Sequence, residues 1–161
     1  MSEQSFSERQ PLRFKGMWFL YMLFFGLFFL FAAGVVQQVI LHKQFGDKPA
    51  PGWLLVACSV VMTGMILSFF VARLETKITH EFVAYRWFPF RKKFTLIDWN
   101  DVARADVFDF GFIGAGYRFT PHGTVHTAGS TVGLRLKMQS GKTLILGTRK
   151  SDELERFIAG R

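Results

Sequence analysis

One stretch of the sequence interleaves basic and aromatic side chains closely. It runs from Arg86 to Phe94 and reads Arg-Trp-Phe-Pro-Phe-Arg-Lys-Lys-Phe. Such a composition suits the boundary between lipid headgroups and hydrocarbon, where rings are half buried and cations meet phosphate. The residues predicted to bind lipid or a partner here are Arg86, Trp87, Phe88, Phe90, Arg91, Lys92 and Lys93. The alternative is a hairpin with an exposed basic turn whose aromatic rings fill the core, and the sequence leaves both interpretations open.

A second candidate lies in the glycine-rich segment from Gly111 to Gly116. A phosphate-binding loop would place Lys and Ser or Thr directly after the glycines and would begin a helix there. Neither feature is present in this segment. We therefore predict a loop between two strands, in which Phe112 and Ile113 are available to dock on lipid or on a partner protein.

The remaining polar residues do not form a pattern typical of catalysis. His122 and His126 are four residues apart, a spacing that suits zinc on a helix, but Gly123 and Thr124 between them indicate a hairpin. We predict surface histidines there, turn residues and surface ion pairs at the carboxylates of residues 98–109, no metal, no cofactor and no enzymatic activity.

Two apolar runs must position these candidate residues. Met17 to Leu41 contains no charged side chain, and Trp53 to Ala72 is a second uncharged run. Each is long enough as a helix to cross a hydrocarbon core of about 30 Å. We predict a transmembrane helical hairpin over residues 17–72, closed by the proline- and glycine-rich loop 42–52.

Small residues recur on both predicted helices and favour close packing between them. They are Gly26 and Ala33 in the first helix, and Ala57, Gly64 and Ser68 in the second.

Basic residues predict the orientation of this hairpin. The chain has a formal net charge of +8. The connecting loop contains Lys43 and Lys48, whereas the outer flanks contain Arg9, Arg13, Lys15, Arg73, Lys77 and Arg86. Because cytoplasmic flanks carry the excess of Lys and Arg, we predict a multi-pass protein of the cell inner membrane with both termini in the cytoplasm. Residues 1–16 are then a loose cytoplasmic tail.

The pattern changes after Thr76 to short alternating segments separated by turn residues. The predicted strands are Ile78 to Trp87, Lys93 to Trp99, Val102 to Phe108, Tyr117 to Thr120, Thr124 to Thr127, Thr131 to Met138 and Thr143 to Gly147. A helix capped by Ser151 follows, with an apolar stripe of Leu154, Phe157 and Ile158. These elements predict one domain over residues 76–161, an antiparallel barrel or strongly bent sheet covered by the helix.

Several of these segments resemble the bacterial pleckstrin-homology-like (PH-like) membrane proteins, in which a transmembrane hairpin precedes a small barrel. The matching segments are Leu74-Glu75-Thr76-Lys77-Ile78-Thr79, Tyr85-Arg86-Trp87-Phe88-Pro89-Phe90, Ile97-Asp98-Trp99-Asn100-Asp101-Val102, Val132-Gly133-Leu134-Arg135-Leu136, Ser140-Gly141-Lys142, Leu144-Ile145-Leu146-Gly147-Thr148 and Asp152-Glu153-Leu154. The resemblance implies a membrane hairpin plus an all-β or α+β PH-like domain of about seven antiparallel strands in a bent barrel closed by one C-terminal helix. It also implies binding or scaffolding rather than catalysis.

The expected function is therefore that of a membrane-anchored binding or scaffolding module. The expected partners are the lipid bilayer and an unidentified membrane or cytoplasmic protein, and we expect no nucleic acid. The alternative is a sensor of anionic lipid headgroups at the cytoplasmic membrane face, which would use the basic aromatic hairpin.

Overall fold

The structure, a computed structural model, describes residues 5–12 and 16–160. Residues 1–4, 13–15 and 161, which include part of the predicted tail and its Arg13 and Lys15, lie outside the described residues. The helices are α1 (Met17–Gly34), continued by a π-helical segment (Val35–Ile40), α2 (Gly52–Val71) and α3 (Ser151–Ala159). The strands are β1 (Phe6–Pro11), β2 (Arg73–Ile78), β3 (Phe82–Phe88), β4 (Thr95–Asp98), β5 (Val102–Asp109), β6 (Ala115–Thr120), β7 (Gly123–Ala128), β8 (Val132–Met138) and β9 (Thr143–Thr148).

The described residues form two compact units, a helical unit up to Phe70 and a sheet unit that combines β1 with the chain from Val71 onward. In the helical unit, Met17–Ile40 and Gly52–Val71 are long and apolar enough to cross a membrane. Both helices match the two apolar runs of the sequence to within one residue at each end. Most of the large apolar side chains of both helices are exposed rather than buried within the helical unit.

Aromatic rings, and not the predicted small residues, bring α1 and α2 together. Tyr21 stacks on Phe70 with ring centroids 5.0 Å apart, and Phe24 contacts Phe69 at 5.5 Å. Nothing lies within 4 Å of the position that a Cβ atom would take on Gly26 or Gly64. The predicted small-residue seam is therefore wrong, because the large rings on both helices make the contact in its place.

Two glutamines at the end of the first apolar run hold the loop that follows it. Gln37 Nε2 donates to the carbonyl of Gln44 at 3.3 Å, and Gln38 Nε2 donates to the carbonyl of Ala50 at 2.5 Å. These bonds satisfy backbone carbonyls of the connecting loop, where no strand or helix ladder is available to do so.

The sheet unit contains two sheets. One has four antiparallel strands in the order β1-β2-β3-β4, and the other has five strands in the order β5-β8-β9-β7-β6. The β7 and β9 strands run parallel, because β9 lies between β7 and β8 and is antiparallel to β8, which runs opposite to β7. The sequence predicts about seven strands that are all antiparallel. The described residues form nine strands, and one pair of them is parallel.

Strand β1 falls in the segment that the sequence assigned to a loose tail. It pairs along its whole length with β2, from Phe6 opposite Ile78 to Pro11 opposite Arg73. Its inward residues are Phe6, Glu8 and Gln10, which are all buried. The sheet domain therefore extends beyond residues 76–161 to include β1 and the first half of β2.

A tight turn also divides the predicted strand from Ile78 to Trp87. The Thr79 hydroxyl oxygen accepts hydrogen bonds from the backbone N–H groups of Glu81 at 3.3 Å and Phe82 at 3.1 Å. These bonds reverse the chain, so that β2 and β3 pair with each other as an antiparallel hairpin.

The core of the unit lies between the two sheets and α3. Its buried members are Phe6, Ile78, Val83, Ile97, Trp99, Leu134, Leu136, Leu146 and Leu154. The predicted stripe of α3 packs here, with Leu154 buried and Phe157 and Ile158 against the core. The predicted Ser151 cap is wrong, because Lys150 occupies the capping position and the Ser151 hydroxyl contacts Asp152. No strand pairing joins the two sheets within the described residues, which form two sheets rather than one continuous ladder.

Strand β1 makes a direct prediction about stability. Replacing Phe6 with Ala removes a core ring that is 2% exposed, and it should lower the free energy of unfolding by about 3 kcal/mol. Chemical unfolding of the full chain in detergent, followed by near-ultraviolet circular dichroism, measures the change. Ser7→Ala, on the exposed side of the same strand, should stay within about 0.5 kcal/mol of the wild type. Equal effects of the two substitutions would contradict the inward placement of Phe6.

Candidate functional site

Both predicted binding segments lie at the end of the sheet unit where the chain leaves for α1 and returns from α2. Pro11, the last residue of β1, pairs with Arg73 on β2, and Arg73 in turn pairs with Phe88 on β3. The Leu12 N–H donates to the Ala72 carbonyl at 3.0 Å, which closes this row. We call this end, marked by Pro11, Arg73 and Phe88, the attachment end.

The five-stranded sheet contributes to the same end. Arg149 Nη2 donates to the carbonyl of Pro11 at 3.2 Å and to the carbonyl of Ala128 at 3.0 Å. Ala128 pairs with Ala115, the first residue after the glycine-rich loop 110–114. The loop with Phe112 and Ile113 and the β3-β4 turn therefore lie at one end of the domain.

Three arginines surround one carboxylate on the outer face of the four-stranded sheet. Arg9, Glu75 and Arg86 are direct partners across three neighbouring strands. Glu75 Oε2 accepts from Arg86 Nε at 2.6 Å, and Glu75 Oε1 accepts from Arg73 Nε at 2.7 Å. Arg9 Nε lies 3.8 Å from Oε1 of the same carboxylate. We call these four residues the arginine cluster.

The arginines keep the carboxylate charged. Burial alone would raise the pKa of Glu75, but hydrogen bonds and positive charge from Arg86 and then Arg73 outweigh it and lower the pKa below its usual value. The Glu75 side chain is 5% exposed, whereas those of Arg73 and Arg9 are 36% and 73% exposed. The cluster therefore presents guanidinium groups to solvent above a covered carboxylate.

Aromatic rings make cation–π contacts with two of these guanidinium groups. The Arg73 guanidinium lies 4.5 Å from the centroid of the Phe88 ring, and that of Arg86 lies 4.3 Å from the centroid of Phe94. Arg86 Nη1 also donates to the Lys92 carbonyl at 2.9 Å. Arg86 thus joins the outer face of the sheet to the turn that follows β3.

Trp87 points to the opposite side of β3, into an aromatic cluster between the two sheets. Its Nε1 donates to Nδ1 of the buried His126 at 3.0 Å. The rings of Tyr85 and Tyr117 lie 4.8 Å and 4.9 Å from the imidazole. The prediction that His126 is a surface histidine is wrong, because aromatic residues of both sheets cover it.

The turn between β3 and β4 presents the rest of the predicted basic aromatic site to solvent. Phe90 is 68% exposed, and Arg91, Lys92 and Lys93 are exposed. No described carboxylate lies within ion-pair distance of these three cations. The turn therefore combines unpaired positive charge with a protruding ring.

The second predicted segment is the inter-strand loop that the sequence indicated. Phe112 is 57% exposed, while Ile113 is half-buried. The Asp109 carboxylate accepts a hydrogen bond from the Gly111 N–H at 2.8 Å, and no helix follows the glycines. Phe112 is thus a second protruding ring at the attachment end.

The structure separates the predicted site residues into three groups. Arg86 and Phe88 belong to the outer face, Trp87 to the inner cluster, and Phe90 and Arg91 to Lys93 to the β3-β4 turn, whereas Phe112 and Ile113 lie apart from all three in the 110–114 loop. Arg9, Arg73 and Glu75 were not predicted as site residues from the sequence. The alternation Arg73-Leu74-Glu75-Thr76-Lys77-Ile78 is the signal that places charged residues on one face, but Arg9 joins them only once β1 is recognised.

The other polar candidates have structural partners. The Asp98 carboxylate accepts from the Asn100 N–H at 2.8 Å, and Arg135 pairs with Asp106 across neighbouring strands. His80 and His122 contact Phe157 and Phe108. In the part of the chain that the structure describes, no three His, Cys, Asp or Glu side chains are grouped so that they could hold a metal ion.

No protein-family model matches this chain, and no curated protein matches it in sequence.

The aromatic cluster makes a prediction about pH. Burial and then the positive charge of Arg91 lower the pKa of His126 from 6.5 to about 4. His126 takes up a proton at a higher pH in the unfolded chain than in the folded chain. The free energy of unfolding should therefore fall by about 2 kcal/mol as the pH drops from 6.5 to about 4. Unfolding of the full chain in detergent at a series of pH values measures this loss.

Two variants isolate the contribution of His126. His126→Leu should flatten the pH dependence over this interval, because Leu cannot take up a proton. His122→Gln, at an exposed histidine, should leave the dependence as in the wild type. The same slope for the wild type and His126→Leu would show that His126 is not held neutral by the fold.

Proposed function

We propose that this chain is a non-enzymatic, membrane-anchored binding or scaffolding protein. Its two sheets and α3 form a PH-like domain, which the hairpin of α1 and α2 holds at the cytoplasmic face of a bacterial inner membrane. The observation that carries the proposal is the pairing of Pro11 with Arg73. Because of this pairing, the chain enters and leaves the helical hairpin at a single end of the sheet domain.

Connectivity brings this end of the domain close to the bilayer surface. Arg73 follows Val71, the last residue of α2, by two positions, so the chain separates them by at most about 7 Å. The headgroup layer on each side of a bilayer has a similar thickness, about 5–8 Å. The exposed rings of Phe90 and Phe112 at the attachment end then face either headgroups or a partner at the membrane surface.

Photo-crosslinking in intact membranes tests this proposal. A benzophenone side chain at Phe90 or Phe112 should give adducts. The same group at Phe119, which is 79% exposed but lies beside the β6-β7 turn at the opposite end of the sheet, should give few. A stoichiometric protein adduct supports scaffolding, and lipid adducts alone support headgroup binding. Equal yields at all three positions would contradict a membrane-proximal binding end.

The exposed cations of the β3-β4 turn favour a second candidate, a sensor of anionic lipid headgroups. Arg91, Lys92 and Lys93 lie beside Phe90 without a described ion-pair partner, as a headgroup contact requires. Each basic residue near an anionic surface contributes about 1 kcal/mol of attraction.

Charge removal tests this second candidate. In nanodiscs that contain anionic lipid, replacing Arg91, Lys92 and Lys93 with Ala should reduce the yield of lipid adducts from Phe90 about threefold or more. Replacing Lys137 and Lys142, at the opposite end of the sheet, with Ala should leave the yield unchanged. Equal reduction by both sets would indicate a general effect of net charge and would contradict headgroup binding by the turn.

A further inference from the structure

We infer that the arginine cluster of Arg9, Arg73 and Arg86 over Glu75 is a binding site for a phosphomonoester group, supplied by the headgroup of a membrane lipid. The inference deepens the headgroup-binding candidate above and rests on it for the lipid source of the phosphate. It concerns the outer face of the four-stranded sheet, and the exposed side chains of Arg91, Lys92 and Lys93 in the turn are not part of the site.

The charge of the cluster supports an anionic ligand. Three guanidinium groups share one carboxylate, so two positive charges remain without a counter-charge in the cluster. Lys77 lies on the same face of β2, is exposed, and has no ion-pair partner among the described residues. Like charges held this closely repel each other, and a bound dianion relieves the repulsion. A phosphomonoester has a charge of about −1.5 to −2 near neutral pH, which matches the excess.

The donor geometry supports phosphate in particular. Arg73 and Arg86 both donate to Glu75 through Nε, and neither residue donates to this carboxylate through an Nη group. The Nη groups of Arg73 and the Nη2 group of Arg86 have no hydrogen-bond partner among the described residues. Paired guanidinium donors fit the oxygens of phosphate with two bonds per group.

The cluster is also preorganised. Glu75 fixes one edge of both guanidinium groups, and the rings of Phe88 and Phe94 support their faces. A long side chain that is already held loses less conformational entropy when a ligand binds. The short connection from Val71 to Arg73 keeps these donors at headgroup depth in the arrangement proposed above.

The test uses the full chain in a non-ionic detergent with three short-chain or free probes. These are dioctanoyl phosphatidic acid, a phosphomonoester; dioctanoyl phosphatidylglycerol, a phosphodiester; and inorganic phosphate. Native mass spectrometry or calorimetry measures the affinities. The wild type should bind phosphatidic acid about tenfold more tightly than either other probe. If the wild type binds inorganic phosphate as tightly as phosphatidic acid, the proposal that a lipid supplies the phosphate group is overturned.

Substitutions separate the cluster from the turn. Arg73→Gln combined with Arg86→Gln should reduce the affinity for phosphatidic acid about tenfold or more. Lys92→Gln combined with Lys93→Gln removes the same amount of charge from the turn. This variant should lower the affinity for both lipids by about the same factor and keep the preference for phosphatidic acid. Arg73→Lys with Arg86→Lys keeps the charge and a partner for Glu75, but should lose the preference, because an ammonium group lacks the second pair of donors.

The outcomes distinguish this site from the broader headgroup function. If the Lys92→Gln and Lys93→Gln variant loses binding, while the Gln and Lys substitutions of Arg73 and Arg86 both keep it, the arginine site is overturned. Headgroup binding by the turn then stands. If the wild type binds neither lipid, both are overturned. Unchanged preference in the Arg73→Lys and Arg86→Lys variant, with a wild-type circular dichroism spectrum, would also overturn the site.

Discussion

The pairing of β1 with β2 is the constraint on which the rest of the structure depends. Six residues before the first apolar helix form a ladder with six residues after the second, so the helical hairpin is an insertion between two neighbouring strands. The polar side chains that face inward from β1 secure this ladder to the second sheet. Glu8 accepts from the Thr148 hydroxyl at 2.6 Å and from the Arg149 N–H at 3.0 Å, and Gln10 Nε2 donates to the Gly147 carbonyl at 2.6 Å. These bonds pair the Glu8 carboxylate and the Gln10 Nε2 group, which would cost free energy if they were buried without partners.

The same ladder assembles the charged outer face. Arg9 reaches Glu75 only because β1 lies beside β2, and Arg86 reaches it from β3 on the other side. A single buried carboxylate thereby holds arginines that come from both sides of the helical insertion in the sequence. The β3-β4 turn and the 110–114 loop lie at the same end of the domain, through Phe88 and through the bonds of Arg149. The arginine cluster, the exposed rings of Phe90 and Phe112 and the points where the chain leaves for the helices and returns from them therefore lie towards the same end of the domain.

The sequence predicts those parts of the fold that have a strong period or a uniform composition. Both apolar helices, the strands β8 and β9 and the apolar stripe of α3 follow from such patterns and agree with the structure. Strand β1 could not be recognised, because two of its inward positions are Glu8 and Gln10, which reverse the expected alternation. The environment of His126 depends on Trp87, Tyr85 and Tyr117, which are distant in sequence. Of the candidate site, the basic aromatic turn was predictable from composition, whereas the arginine cluster requires the register of three strands.

The most direct test of the account is the side of the membrane on which β1 lies. Single cysteines at Ser7, Asp47 and Ser140, each in a Cys58→Ser background, can be labelled with a membrane-impermeant maleimide in sealed vesicles of known orientation. All three positions are exposed. Cysteines at Ser7 and Ser140 should react from one side and a cysteine at Asp47 from the other, because β1 and β2 flank a hairpin that should return the chain to the side on which it started. Reaction of Ser7 and Ser140 from opposite sides would contradict the β1-β2 pairing on which the proposed site depends.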